Sequence, residues 1–146
     1  MIPGFLITWA TFPGVIVHEF AHLLFCRIYG LKVYEVKYFQ LSVGFGTPAG
    51  YVIHEAAANP WHNIWVSVGP FTVNTILGVI IALPAAIPFS HHGSVDLLHW
   101  FQLWLGVSIA AHAFPSLGDA ESIWKIVTSK ETPWLTRVLA FPIVLV

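Results

Sequence analysis

Long apolar stretches alternate with short polar interruptions along the chain, and this pattern predicts three membrane-crossing helices. The stretches cover about residues 3–29, 60–87 and 96–114. Each contains about 20 residues or more, which is the length that a helix needs to cross a bilayer. We therefore expect an all-α membrane protein with a three-transmembrane-helix core, built as one unit over residues 1–146.

Residues that cap, bend or end helices mark the limits of these stretches. Proline and glycine are typical of kinks and helix ends, and asparagine or aspartate is typical of helix starts. The predicted boundaries are a kink at Pro13-Gly14, a C-terminal cap at Gly30, a start at Asn59-Pro60, an end at Pro84 and Pro88, a start at Ser94 or Asp96 and a break near Pro115.

A different pattern lies between the first two helices, over about residues 33–54. Apolar and polar residues alternate from Phe39 to Gly46, which predicts a strand. Thr47–Gly50 resembles a turn, and Tyr51–His54 should be the returning strand. We expect a membrane-associated β-hairpin. It is either a plain connection or an edge strand that pairs with an extended peptide.

Two shorter elements are expected after the third helix. A short amphipathic helix should cover about residues 119–129, and an apolar tail covers residues 133–146. The tail would form a helix of only about 21 Å, which is shorter than the roughly 30 Å of a bilayer core. We expect it either to lie in the membrane interface or to continue in a longer chain.

The composition supports a membrane location and argues against nucleic-acid binding. The chain is 57% hydrophobic and 9% charged, whereas soluble domains carry roughly 25% charged residues. This predicts an integral protein surrounded by the lipid bilayer. The formal net charge of -1 offers no basic surface for nucleic acid. Cys26 is the single cysteine, and we expect it to be a packed helix residue rather than a nucleophile.

The basic residues predict the orientation of the protein in the membrane. In the three-helix arrangement all six fall on one side, and the loop over residues 89–96 has none. Because positive residues favour the cytoplasmic side of a membrane, the N-terminus should lie outside. With three crossings the protein should be multi-pass. The six residues are Arg27, Lys32, Lys37, Lys125, Lys130 and Arg137.

The first apolar stretch contains the pattern H-E-x-x-H, from His18 to His22. No other charged side chain occurs in residues 2–26. On a helix the two imidazoles lie one turn apart on one face and can bind one zinc ion, with Glu19 beside them as general base. The site should lie toward the cytoplasmic end of its helix, in a cavity that admits water.

A catalytic zinc needs a third protein ligand. Asp119 is the strongest candidate, because it follows a stretch broken by proline and glycine at the end of the third helix. Glu121 and His112 are the alternatives. Asp119 and Glu121 are about 200° apart on a helix, so only one of them can face the metal.

Asn74 places an amide in the middle of the second apolar stretch, four residues after Pro70. In an enzyme this amide could hold a substrate backbone or stabilise the oxyanion of the tetrahedral intermediate. The simpler interpretation is a hydrogen bond that joins two helices.

These motifs together resemble the site-2 protease family of intramembrane zinc metalloproteases. The similarity rests on H-E-F-A-H, G-P-F-T-V-N and P-S-L-G-D-A and covers roughly residues 4–125. It implies a three-helix core with a membrane-associated β-hairpin. By motif, His18, His22 and Asp119 correspond to zinc ligands, Glu19 to the catalytic base and Asn74 to the middle-helix asparagine.

The chain departs from that family near the third ligand. The family has an asparagine- and proline-rich stretch ending in Leu-Asp-Gly, whereas this chain has Gly118-Asp119-Ala120, with His112 where an asparagine is usual. We expect a minimal core without a PDZ or CBS domain.

The predicted function is hydrolysis of peptide bonds in transmembrane or membrane-associated protein substrates, with Zn²⁺ as cofactor. One alternative is a catalytically silent zinc-binding membrane scaffold. Another is a metal transporter, with His91, His92 and His99 as an entry site. A serine hydrolase is disfavoured, because Ser108 and His112 on one helix leave no second helix to build an oxyanion site.

Overall fold

The computed structural model describes residues 4–41, 47–90 and 94–144 and is mostly helical, with one small antiparallel hairpin. The helical class and the hairpin after the first helical region agree with the sequence prediction. In chain order the elements are α1 Gly4–Ala10, α2 Phe12–Ile28, β1 Val33–Lys37, β2 Tyr51–His54, α3 Pro60–Ser90, α4 Leu97–Ala111, α5 Leu117–Thr128 and α6 Trp134–Val144.

The first apolar stretch forms two helices instead of one kinked helix. The break falls at Thr11, two residues before the predicted kink at Pro13-Gly14. A proline ring clashes with the carbonyl four residues earlier, so the helix before Pro13 has to end upstream of it. The far end agrees with the prediction. Gly30 adopts a positive φ of 67° and closes α2, with its N–H donating to Arg27 O.

The second apolar stretch forms α3, which begins at Pro60 as predicted. The Asn59 side chain accepts the Trp61 N–H at 3.0 Å. The predicted end at Pro84 and Pro88 is wrong, because the helix continues through both prolines to Ser90. Each proline removes only one backbone hydrogen bond, and packing along α4 holds the two helices together.

Only α3 is long and apolar enough to cross a membrane within the described ranges, over Pro60–Phe89. The helix α4 is shorter. It begins after Asp96, whose carboxylate accepts the His99 N–H at 3.1 Å, and this decides between the two predicted starts. It ends at Ala111, three residues before the predicted limit.

The hairpin pairs β1 with β2, and its outgoing strand lies earlier than predicted. Val36 lies opposite Val52, and Lys37 opposite Tyr51. The returning strand agrees with the prediction. Residues 39–41 are irregular, and residues 42–46 lie outside the described residues. Gln40 instead holds the loop, because its backbone N–H donates to Ala49 O and its side chain to Pro48 O, each at 2.7 Å.

The helix α3 is the centre of the packing and contacts α2, α4 and α5. Where α3 meets α4, a Cβ at Gly106 would lie only 2.6 Å from Ala82 N, so the missing side chain allows the close approach. Near its start α3 shares an apolar cluster with α5 and α6, formed by Ile64, Ile123, Val127 and Ala140. This packing anchors α5, whose first turn lies beside α2.

Candidate metal centre

His18 and His22 face the interior from one side of α2. They are one helical turn apart, and their exposed fractions are 7% and 8%. Their Nε2 atoms approach to 3.2 Å. The spacing in the sequence therefore brings the two imidazoles together as expected.

Each histidine is held through its other ring nitrogen by a backbone carbonyl. Nδ1 of His18 contacts His112 O at 2.8 Å, and Nδ1 of His22 contacts Val66 O at 2.8 Å. Because a carbonyl can only accept, each Nδ1 carries the hydrogen and donates it. In the neutral imidazole each Nε2 then presents a lone pair to the shared space, which is the arrangement typical of metal-binding histidines.

Asp119 reaches the same space from the first turn of α5. Its Oδ2 lies 3.5 Å from His18 Nε2, and its Oδ1 lies 3.3 Å from His22 Nε2. Ser116 caps this helix and also orients the carboxylate, since its hydroxyl donates to Asp119 Oδ2 at 2.6 Å and its N–H at 2.9 Å. The three side chains predicted from the sequence as ligands thus lie in one buried cluster that can hold a metal ion.

The surroundings of Asp119 favour its charged form. Burial acts in the opposite direction, but in the metal-free site the hydrogen bonds that the carboxylate accepts from the His18 and His22 imidazoles and from Ser116 outweigh it and hold the pKa of the carboxyl well below its usual range. Asp119 is therefore an anion at neutral pH and is available to a cation.

The donor atoms fit zinc in both spacing and chemistry. In tetrahedral zinc with metal–donor distances near 2.0–2.1 Å, neighbouring donors are about 3.3 Å apart. The three separations here are 3.2, 3.3 and 3.5 Å. Two imidazole nitrogens and one carboxylate leave a fourth position open, which is the pattern of catalytic zinc sites.

Glu19 lies beside this cluster, 7% exposed, and lines two cavities. The larger has a volume of about 660 Å³ and is bordered by β2 and by the first turn of α5. The smaller, about 280 Å³, is bordered by Thr8, His18 and His112. The carboxylate thus has space for a reacting molecule next to the donor cluster.

The two alternative third ligands, Glu121 and His112, are not members of the group of side chains that can hold the metal. Glu121 is exposed on α5 and does not belong to the cluster. The His112 imidazole contacts the backbone carbonyl of Ser108 at 3.0 Å, while the Ser108 hydroxyl donates to Trp104 O at 2.6 Å. The serine and the histidine therefore do not form a hydroxyl–imidazole pair.

Asn74 is completely buried in α3 and joins three helices. Its amide nitrogen lies 3.1 Å from each of the carbonyl oxygens of Gly14, Ile109 and His112, and its two hydrogens are shared among these three acceptors. It lines neither of the two cavities beside Glu19. The observed contacts are those of the simpler interpretation, a hydrogen bond between helices.

Several residues outside the cluster of donor atoms can also be compared with the predictions from the sequence. Cys26 is buried in α2, as expected for a packed helix residue. His99 pairs with Asp96 at 2.6 Å, at the end of α4 far from His112, and His91 and His92 lie outside the described residues. Ser116 was not predicted as a residue of the site, although the pattern Ser-x-x-Asp is a recognisable capping signal.

A protein-family model with the description "Putative zincin peptidase" matches residues 11–133, which is most of the chain and includes all of the donor cluster. Neither a curated protein nor a solved structure matches. Zincins are zinc peptidases, so the family implies zinc as the cofactor of the site that His18, His22 and Asp119 can form.

Proposed function

The chain belongs to this family of zincin peptidases, and we propose that it is an intramembrane zinc metalloprotease. Its substrates would be peptide bonds in transmembrane or membrane-adjacent protein segments. The observation that carries the proposal is the buried cluster of two imidazoles and one carboxylate beside Glu19, built on helices with apolar outer faces.

The apolar outer faces support the membrane part of the proposal. On α2, the exposed side chains at every fourth position are apolar. The faces of α3 and α4 that point away from the core are also apolar, and a soluble protein rarely exposes so continuous an apolar surface. The exposed residues include Ile16, Phe20, Leu24 and Ile28 on α2, Val79, Ile80, Leu83 and Ile87 on α3, and Leu97, Trp100, Phe101 and Val107 on α4.

We infer three crossings: α1 with α2, then α3, then α4. This places the N-terminus outside and the six basic residues, together with the metal centre, toward the cytoplasm. The basic residues support this orientation because they lie in the last turn of α2, in the loop and strand that follow it, and in or between α5 and α6.

The site has the groups that peptide hydrolysis needs. His18, His22 and Asp119 would hold zinc, which when bound supplies a Lewis acid that polarises the peptide carbonyl and acidifies water. Glu19, beside them, is the general base: it takes a proton from the attacking water and passes it to the leaving amine. Burial of Glu19 keeps this proton transfer away from bulk solvent.

We infer that the substrate binds as an extended segment along β2. This strand pairs with β1 on one edge and borders the larger cavity beside Glu19. Addition of a peptide strand to a sheet edge uses backbone hydrogen bonds and therefore opens a helical segment. An opened segment exposes the peptide carbonyl that hydrolysis requires.

Metal analysis tests the site itself. Wild-type protein purified in detergent should carry about one zinc per chain by mass spectrometry, as expected for a single three-ligand site. His22→Ala and Asp119→Ala should lose it. Glu121→Ala is the matched control and should keep its zinc. A folded wild type that takes up no zinc would contradict the proposal.

Cleavage of a transmembrane peptide library, read out by mass spectrometry, tests the activity. Glu19→Gln should abolish cleavage while zinc stays bound, because the amide cannot accept the proton. Retained cleavage by this variant would show that Glu19 is not the base. Bound zinc without cleavage in the wild type would favour the silent scaffold.

A further inference from the structure

Two backbone carbonyls orient the metal-binding histidines, and the reason that both are available lies on α3. A carbonyl within an α-helix normally accepts the N–H four residues later. The carbonyls of Val66 and His112 instead accept the Nδ1–H groups of His22 and His18, both at 2.8 Å. What prevents their usual pairing therefore decides where the imidazoles point.

Pro70 removes the usual partner of the Val66 carbonyl. Proline has no N–H, so the carbonyl four residues before it loses its helical donor. Val66 is 1% exposed and Pro70 is fully buried within α3, so an imidazole can satisfy this carbonyl without competition from bulk water. The proline thus leaves the Val66 carbonyl free to accept a hydrogen bond, and Nδ1 of His22 donates it.

The His112 carbonyl is free for a different reason. His112 is the C-terminal cap of α4, where the last carbonyls have no partner within the helix. The N–H of Ser116, four residues later, donates instead to Asp119 Oδ2 at 2.9 Å. Asn74 holds this free carbonyl in place with an amide hydrogen bond of 3.1 Å, and Nδ1 of His18 shares the same oxygen.

Asn74 also fixes the backbone that carries His18. Its amide nitrogen donates to Gly14 O, one turn before His18 on α2. At this point α2 touches α4, since a Cβ at Gly14 would lie 2.0 Å from Ser108 O. One side chain therefore sets both the helix that bears the imidazole and the carbonyl that orients it.

We propose that Pro70 and Asn74 are positioning residues for the metal centre, acting on His22 and His18 respectively through the carbonyls of Val66 and His112. The inference rests on the proposed function, because it assumes that these imidazoles bind zinc. Asn74 then contributes through a ligand and not through contact with the substrate. The segment Gly69–Asn74 carries both residues one turn apart on α3.

Pro70→Ala tests the first half of the proposal. Alanine restores an N–H that competes with His22 for the Val66 carbonyl, and it favours the helix more than proline does. We expect the zinc dissociation constant to rise about tenfold, as for other groups that orient metal ligands. Pro84→Ala is the matched control, an exposed proline of the same helix, and should leave zinc affinity within about twofold of wild type.

Asn74→Leu tests the second half by removing the donors while keeping the volume. Zinc affinity should fall about ten- to a hundredfold, and the visible absorption of the cobalt-substituted protein should shift as the His18 ligand reorients. The control is Trp104→Phe, which removes another hydrogen bond between helical segments, from Trp104 to Ala10 O at 2.9 Å. It should lower thermal stability without changing the cobalt spectrum. If Asn74→Leu does not fold, Asn74→Ala, which also removes the donors, replaces it.

The outcomes separate this inference from the proposed function. If the wild type binds no zinc, the proposed function fails. If it binds zinc, and Pro70→Ala and Asn74→Leu or Asn74→Ala bind it as tightly with an unchanged cobalt spectrum, the positioning roles alone are wrong. Equal weakening of zinc binding in the two control variants would also overturn them, because general destabilisation would then explain the effect.

Discussion

At Gly50 the backbone after the hairpin loop lies directly against the proposed catalytic base. A Cβ there would lie 2.6 Å from Glu19 Cγ and 2.9 Å from the carbonyl oxygens of Lys37 and Tyr38. Neither backbone oxygen can yield cheaply, so Gly50→Ala should displace Glu19 or the hairpin. We expect cleavage to fall roughly a hundredfold, as for other small displacements of catalytic groups, with zinc still bound.

The matched control for this prediction is Gly118→Ala. A Cβ at Gly118 would meet only Ser116 Oγ, at 3.7 Å, which is an ordinary contact. Cleavage assays and zinc analysis on both variants check the prediction. Normal activity in Gly50→Ala would mean that the hairpin does not restrain Glu19.

Ser116 serves the fold and the metal centre with one hydroxyl. It caps α5 by accepting the Asp119 N–H at 3.2 Å, and it donates to Asp119 Oδ2 at 2.6 Å. Ser116→Ala should cost about 1 kcal/mol of stability through the lost cap and lower zinc affinity at least about tenfold. Thermal unfolding and zinc titration measure the two effects, and Ser116→Thr should restore both. Unchanged zinc affinity in the alanine variant would limit Ser116 to capping.

The residues of the site differ in how far they can be predicted. His18, Glu19 and His22 follow from local spacing, because a helix fixes the geometry of residues four apart. Asp119 lies far away in sequence and was found by its motif, with Glu121 and His112 left open. The orienting carbonyls carry no side-chain signal. Of the two, only the Val66 carbonyl could have been predicted from the sequence, because a proline frees the carbonyl four residues before it.

Among the elements, the hairpin carries a polar contact that can be tested by pH. The Tyr51 hydroxyl donates to Glu35 Oε1 at 2.5 Å, and this contact raises the pKa of Tyr51 above its usual value. The interaction is present below the ordinary tyrosine pKa and is lost as pH rises through the raised one. An ultraviolet difference titration of wild type against Tyr51→Phe should show this shift, and Glu35→Gln should reduce it. If the pKa of Tyr51 is the same in the wild type and in Glu35→Gln, the contact between the two side chains is contradicted.

The starts of α3 and α4 were predicted better than their ends, and the returning strand of the hairpin better than the outgoing one. Asn59 and Asp96 supply local caps, and the helices begin beside them. Pro84 and Pro88 do not end α3, since neighbouring turns and α4 support the helix across them. The alternation after Phe39 predicted a strand, but the outgoing strand lies at Val33–Lys37. Which residues pair with β2 depends on the register of the whole hairpin, and the local alternation of apolar and polar residues does not determine that register.

For the whole molecule, the three proposed crossings make different demands on their helices. Within the part of the chain that the structure describes, only α3, over Pro60–Phe89, is long and apolar enough to cross a bilayer by itself. The 15 residues of α4 cover only about 22 Å, so residues beyond its ends have to reach the interfaces. A bilayer surrounding this core makes the cost of a charge depend on depth, whereas water around the same helices would make it nearly uniform.

Ile80 and Leu97 allow this dependence on depth to be measured. Ile80 is 61% exposed in the apolar middle of α3, and Leu97 is 84% exposed at the first residue of α4. Ile80→Arg should oppose membrane insertion by about 3 kcal/mol, while Leu97→Arg should cost much less because its side chain can reach the interface. A glycosylation-based insertion assay gives both values, with Ile80→Leu as the neutral control. Equal tolerance of arginine at the two positions would contradict a bilayer around α3, and the metal centre would then belong to a peptidase outside the membrane.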